Sequence, residues 1–137
     1  KFIVESEHMT YQVTEENNIS TVFLNGEIDM DVTEKAKLIQ TIQPQYAIYK
    51  PSLIGGMKGT QEWIDICEAN QVKWWITSAL ESNIGLNAIA QWTYTLDTDL
   101  PQGLGTGGLY TNNYTSPLLV QDGKIQYDPQ VSWDFKF

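Results

Sequence analysis

Tyr46-Ala47-Ile48-Tyr49-Lys50-Pro51 decides how this chain is read: a short unbroken apolar run that stops on one polar residue and a proline. Apolar-rich runs that also stop on a polar residue precede it at Ser20-Thr21-Val22-Phe23-Leu24-Asn25 and follow it at Val72-Lys73-Trp74-Trp75-Ile76-Thr77, so the terminal polar residues Asn25, Lys50 and Thr77 lie 25 and 27 residues apart. Each run has the length and the β-branched and aromatic character of a strand. The intervening residues are enough for a helix and its two connections. A strand-helix unit of that length, iterated, builds a parallel sheet or a (β/α) barrel, and chemistry in such folds gathers where the strands end.

Working outward, Asp31 with Glu34 predicts a capping box that opens a helix. Val32, Ala36 and Ile39, with Leu38 and Ile42 beside them, supply its apolar stripe, and Pro44 stops it. A second helix is expected from about Thr60 to Asn70, with Trp63, Ile66 and Cys67 on one face. Ser78 with Glu81 offers a second capping box, before a helix carrying Leu86, Ile89, Ala90 and Thr93 that ends near Trp92 to Leu96. Tyr46 to Tyr49 is continuous in apolar character, as expected of a strand covered on both faces. Phe2 to Val4, closed by Glu5, reads as another strand, and Met9 to Asn18 as a stretch with room for a short helix. From Pro101 onward the chain turns to Gly, Thr and Asn. Asp122-Gly123 between Leu118–Val120 and Lys124–Tyr127 then predicts a hairpin. The right-handed crossover rule places the earlier strands in one parallel sheet.

The composition sets bounds on partners. The chain has 137 residues, 42% of them apolar and 12% aromatic, enough for one domain with a real core. Seventeen acidic residues oppose eight basic ones, all lysine, for a net charge of −9. That balance argues against nucleic acid or an anionic membrane as partner. The single cysteine, Cys67, excludes an internal disulfide and reads as a buried structural thiol. No apolar run approaches the roughly 20 residues of a membrane span. Lys1 to Glu5 lacks the apolar core of a signal peptide, so a cytoplasmic protein is expected. Asn18-Ile19-Ser20 and Asn113-Tyr114-Thr115 match the glycosylation sequon, a pattern common by chance.

Several residues carry candidate chemistry. Lys50, an ammonium at the end of an apolar strand, is a poised base or a fixed positive charge for a developing anion, or else a surface lysine with its stem on Tyr49. Glu5 and Asn25, ending neighbouring strands on the same rim, would suit Mg²⁺ through oxygen donors, against the plainer readings of a solvated carboxylate and an Asn-Gly turn. Gly103 to Gly108 satisfies G-x-G-x-x-G formally, but the residues after it do not open a helix as dinucleotide binding requires. A loop whose backbone amides approach an anion is the more physical use. His8, the only histidine, lies in a polar stretch and does not support a Ser-His-Asp or Cys-His scheme.

Three blocks together, Tyr49-Lys50-Pro51-Ser52-Leu53-Ile54-Gly55-Gly56, Trp74 through Leu86, and Pro101-Gln102-Gly103-Leu104-Gly105-Thr106-Gly107, resemble the o-succinylbenzoate synthases of the enolase superfamily in order and spacing. The resemblance covers roughly residues 2 to 133. It implies that residues 1–137 are the C-terminal half of a (β/α) TIM-type barrel, roughly four βα units with a short C-terminal β-hairpin. The capping domain, the first barrel strands and the acid/base lysine would belong to parts of the family's fold outside these residues. The implied activity is a Mg²⁺-dependent dehydration in menaquinone synthesis. A cyclohexadiene carboxylate bearing a succinyl chain loses water and becomes aromatic. By resemblance Lys50 is the catalytic lysine whose charge faces the enediolate. Glu5 and Asn25 fall at metal-ligand positions, and Thr77, Ser78 and Gly103 line the pocket for the succinyl tail. The family has an acid where this chain has Asn25, so weaker metal binding is expected. Two other readings stay open: a racemase of N-succinylamino acids, and a degenerate non-catalytic relative acting by binding. Open sheet edges further predict self-association.

Overall fold

The structure, a computed structural model, describes residues 2–6, 9–16, 19–25 and 30–135, the first three groups as strands and their register. Strands β1 (Phe2–Ser6), β2 (Met9–Glu16) and β3 (Ile19–Asn25) form an antiparallel meander in the order β1-β2-β3. Two expectations are corrected here. The stretch from Met9 is a strand, not a helix, because Met9, Tyr11 and Val13 alternate with Thr10, Gln12 and Thr14 at period two among β-formers. The early strands also do not join a parallel sheet with the later ones. The connections from Ser6 to Met9 and from Glu16 to Ile19 are hairpin-length, so these three strands pair antiparallel with one another, since a parallel pairing needs a crossover of a dozen residues or more. His8, Asn18 and Gly26 lie outside the described residues.

Helix α1 (Val32–Ile42) opens with the predicted capping box: Glu34 N–H donates to Asp31 Oδ1 at 2.9 Å and Asp31 N–H to Glu34 Oε2 at 3.0 Å. Its buried positions are Lys35 and Ile39, whereas Val32 is 55% exposed, so the apolar stripe is narrower than its spacing suggests. Lys35 compensates for its burial through an ion pair of 2.6 Å with Glu62, and its Nζ lies 5.7 Å from the centre of the Trp63 ring. Helix α1 ends before Pro44 with Gln43 in the left-handed region, φ 48°.

Strand β4 (Tyr46–Tyr49) leads through the short 3₁₀ turn Pro51–Leu53 into helix α2 (Gly56–Ala69), and strand β5 (Lys73–Ile76) leads into helix α3 (Asn83–Tyr94). β4 and β5 are parallel, pairing Tyr46 with Lys73 and Tyr49 with Ile76. These are two of the three strand-helix units that the repeated rhythm predicts; the first of its strands, β3, pairs in the meander instead. The main core is where their helices cover the sheet: Ala47, Tyr49, Trp74 and Ile76 meet Trp63, Ile64, Ile66, Cys67, Leu86 and Ile89. Cys67 is fully buried, and its Sγ lies 3.0 Å from the Tyr49 hydroxyl, which bears out the structural thiol. Burial pushes the Tyr49 and Cys67 pKa values up, so both stay protonated at neutral pH.

The expectation of two covered faces fails for β4. Ala47 and Tyr49 are buried, but Tyr46 is 38% and Ile48 45% exposed. Period-two geometry puts the exposed pair on the face away from the helices, beside Lys73 and Trp75. Among the described residues a hairpin of β6 (Leu118–Gln121) and β7 (Lys124–Tyr127) closes the chain as predicted. Asp122 and Gly123 both have positive φ, 51° and 72°, as a type I′ turn requires.

Candidate functional site

Three backbone segments run side by side where β4 and β5 end. Thr77 N–H donates to Tyr49 O at 2.9 Å, Gly103 N–H to Ile76 O at 2.7 Å, and Ser78 N–H to Gly103 O at 3.2 Å. Thr77 and Gly103 form a parallel bridge, so Gly103 marks a third parallel segment beside β5. The rim therefore brings together Lys50, Thr77, Ser78 and Gly103, four of the six residues singled out by resemblance. Lys50 is exposed and caps the strand end, while Ser78 is buried with its Oγ 2.6 Å from Thr106 Oγ1.

Gly103 is required by space rather than by its own torsion angles. A Cβ there would stand 2.6 Å from Thr77 Oγ1 and 2.9 Å from Thr77 Cβ. Thr77 Oγ1 also donates to Gly103 O at 3.0 Å. Gly103→Ala is expected to break this hydrogen bond, push the third segment off the sheet and destabilise the fold by about 1–3 kcal/mol. A fall of several degrees in the thermal midpoint would show it. Gln102 supports the same join, its Oε1 accepting from Ile76 N–H at 2.7 Å.

The segment after β5 is not the predicted capping box. Helix α3 has Ser82 as its N-cap, with no side-chain hydrogen bond. The Asn83 N–H is satisfied instead by Asn113 Oδ1 at 2.8 Å from the Gly-rich loop, and Asn113 Nδ2 donates to Gly107 O at 3.1 Å. That use of both amide atoms speaks against a glycan on Asn113. No helix follows Gly103 to Gly108, of which Gly105 to Gly108 form turns. The loop serves to pack over the start of α3.

Glu81, read from the sequence as a cap partner, turns back to the rim. It accepts from the Ser52 hydroxyl and from Ala79 N–H, at 3.0 and 2.9 Å to its two oxygens. Burial pushes its carboxyl up, but the bonds from Ser52 and the backbone amides and the charge of Lys50 outweigh it, leaving the carboxyl below its ordinary 4.5. The Glu62 carboxyl is lowered as well, chiefly by its hydrogen bond from Lys35. Both groups ionise more readily folded than unfolded. The stability they contribute is thus present above the ordinary value of 4.5 and is lost as pH falls through their lower folded values. The thermal midpoint is expected to drop between about pH 5 and pH 3, and the drop should shrink in Glu62→Gln.

Glu5 and Asn25 belong to the antiparallel meander. The register places Glu5 opposite Thr10 and Thr10 opposite Asn25, so the two share a row but are separated by β2 rather than lying on neighbouring strands. Two strand spacings amount to about 10 Å. Mg²⁺, with ligand oxygens at about 2.1 Å, needs converging donors, and the two residues expected on neighbouring strands stand on strands with β2 between them. Among the described residues no group of three His, Cys, Asp or Glu forms a cation site. No helix among them is long and apolar enough to cross a membrane.

No family model matches the chain. Over 98 residues, 72% of this chain, it is 49% identical to a curated o-succinylbenzoate synthase from Desulfotalea psychrophila. The solved structure of MenC from Desulfotalea psychrophila LSv54 superposes on 72% of the chain with a TM-score of 0.68 and 47% identity. These residues span 27% of the curated relative and 28% of the solved chain. The resemblance read in the three blocks is thereby shown, and with it a mixed helix and strand fold like that of the solved relative.

Proposed function

We infer that these residues are the C-terminal part of an o-succinylbenzoate synthase, contributing the Lys50 rim to a dehydration that the rest of that enzyme completes. The observation that supports this reading is the convergence of Lys50, Thr77, Ser78 and Gly103 at adjacent strand ends, in a segment 49% identical to such an enzyme. The substrate is a succinyl-bearing hydroxycyclohexadiene carboxylate, and its dehydrated product belongs to menaquinone synthesis. β4, β5 and the segment at Gly103 are proposed as consecutive strands of a (β/α) barrel. The open face of Tyr46, Ile48 and Trp75 would be its interior.

In this reading the Lys50 ammonium places a fixed positive charge against the oxygens of the enediolate formed when the α-proton leaves. Thr77, Ser78 and Gly103 shape the wall for the succinyl tail, and the Gly103 backbone approaches closely because no Cβ intervenes. A divalent metal, Mg²⁺ by the resemblance, would neutralise the substrate carboxylate when bound in the whole enzyme. Glu5 and Asn25 are the positions here that match its ligands, on strands separated by β2. Mg²⁺ titrated into this chain alone is expected to give no saturable heat of binding.

The pure 137-residue chain with Mg²⁺ and substrate is expected to show no dehydration above background, because the matched set includes no acid/base lysine. Enzyme-like turnover by the chain alone, followed by the absorbance of the aromatic product, would overturn the division of labour proposed. The neutral side chain of Asn25 favours a second reading, a non-catalytic binding relative. Self-association through the open sheet is also proposed, and light scattering from micromolar solutions that reads a monomer counts against it.

A further inference from the structure

We propose that Glu81 is a positioning residue of the rim: its carboxylate ties the segment after β4, which carries Lys50, to the turn after β5, which carries Ser78. This rests on the reading of the rim given above. Three observations carry it. Both Glu81 oxygens are engaged: one accepts from the Ser52 hydroxyl across the gap between the two segments, and both accept from Ala79 N–H within the turn. The turn is bent to permit this, with Leu80 in the left-handed region at φ 67° although it is not glycine, and half exposed, so burial of its side chain does not explain the strain. Helix α3 also leaves room for it, since a Cβ at Gly85 would meet Glu81 Cβ at 3.0 Å and Cγ at 3.2 Å.

The tie has an electrical consequence. Lys50 stands two residues before Ser52, and its charge acts on Glu81. The interaction is mutual, so the Glu81 charge also bears on Lys50, while the Ser52 bond fixes the segment that carries it. An ammonium meant to face a developing anion needs a fixed mount, because a wandering amine stabilises nothing. Among the described residues Lys35 is paired with Glu62, whereas Lys50 forms no direct ion pair.

The test uses the 137-residue chain and needs no substrate, so it succeeds or fails independently of the activity assay. Trace acetylation by an activated acetate ester, read by mass spectrometry, reports each lysine's nucleophilic amine, with exposed Lys37 and Lys124 as internal references. In Glu81→Gln the Lys50 rate relative to those references is expected to rise about threefold, the size of one nearby surface charge. Glu81→Asp keeps the charge but shortens the reach. Its Lys50 rate should stay near that of the parent while hydrogen exchange at Ala79 N–H accelerates. A folded Glu81→Gln chain with an unchanged Lys50 ratio overturns the proposal. Should that variant lose its near-ultraviolet tryptophan signal, Ser52→Ala decides: faster Ala79 exchange supports the tie, and unchanged exchange refutes it.

Discussion

Lys50→Ala is expected to lower kcat for dehydration by about 10²–10³ in a hybrid where this chain replaces the matching 98-residue segment of the Desulfotalea synthase, while the fold survives. The magnitude follows from the kind of interaction lost. A charge that meets the enediolate acts mainly on the transition state, so removing it should reach kcat rather than KM alone. The fold should survive because Lys50 is exposed and its side chain fills no core space. Lys50→Arg should recover only part of the rate, since a planar fork keeps the charge but not the point geometry of an ammonium. Steady-state kinetics on the hybrid and its two variants checks the prediction. Equal kcat in all three would place Lys50 outside the chemistry.

Trp63→Ala is expected to cost about 3–5 kcal/mol, enough to unfold most of a domain whose total stability is about 5–15 kcal/mol. Trp63 is 1% exposed, stacks on Tyr49 with ring centres 5.9 Å apart, and lies under the Lys35 ammonium. Truncation removes the plate on which β4, α1 and α2 meet, and it leaves Lys35 with less shielding for its buried charge. The indole Nε1 finds no acceptor among the described residues. Trp63→Phe therefore gives up an unsatisfied donor along with volume, and should cost clearly less than Trp63→Ala. Chemical unfolding of both variants measures the difference.

The fold was legible wherever local signals agreed. The capping box at Asp31 and Glu34, the hairpin at Asp122-Gly123, the stripe of Trp63, Ile66 and Cys67, and the parallel pairing of two strands 27 residues apart all lie in short-range pattern. The start of the chain was misread because run length outweighed alternation. Met9 to Glu16 alternates at period two, and that pattern, rather than the polar character of the stretch, identifies the strand. The covered faces of β4 were misread for a different reason. An apolar run reports that both faces are greasy and not whether anything packs on them, which depends on strands elsewhere in the polypeptide.

The site was legible mainly through resemblance. Lys50, Thr77 and Gly103 meet as expected because strand ends align in a parallel sheet. Ser52, Glu81 and Thr106 were missed as members of the rim. Glu81 carried a signal that competed with itself: three residues after a serine it reads as a capping partner, while the glycine four residues on, which clears its side chain, was the cue for another role. Lys35 gave no cue, since its partner Glu62 lies 27 residues away on another helix.

Dehydratase activity of the hybrid itself tests the central claim most directly. With residues of this chain in place of the matching segment, the account predicts turnover within about tenfold of the parent enzyme, because the rim is supplied intact and the remaining machinery comes from the host. A hybrid that folds, binds substrate and produces no aromatic product would contradict it, and would make the rim of Lys50, Ser78 and Gly103 a structural remnant of the enzyme rather than a working part.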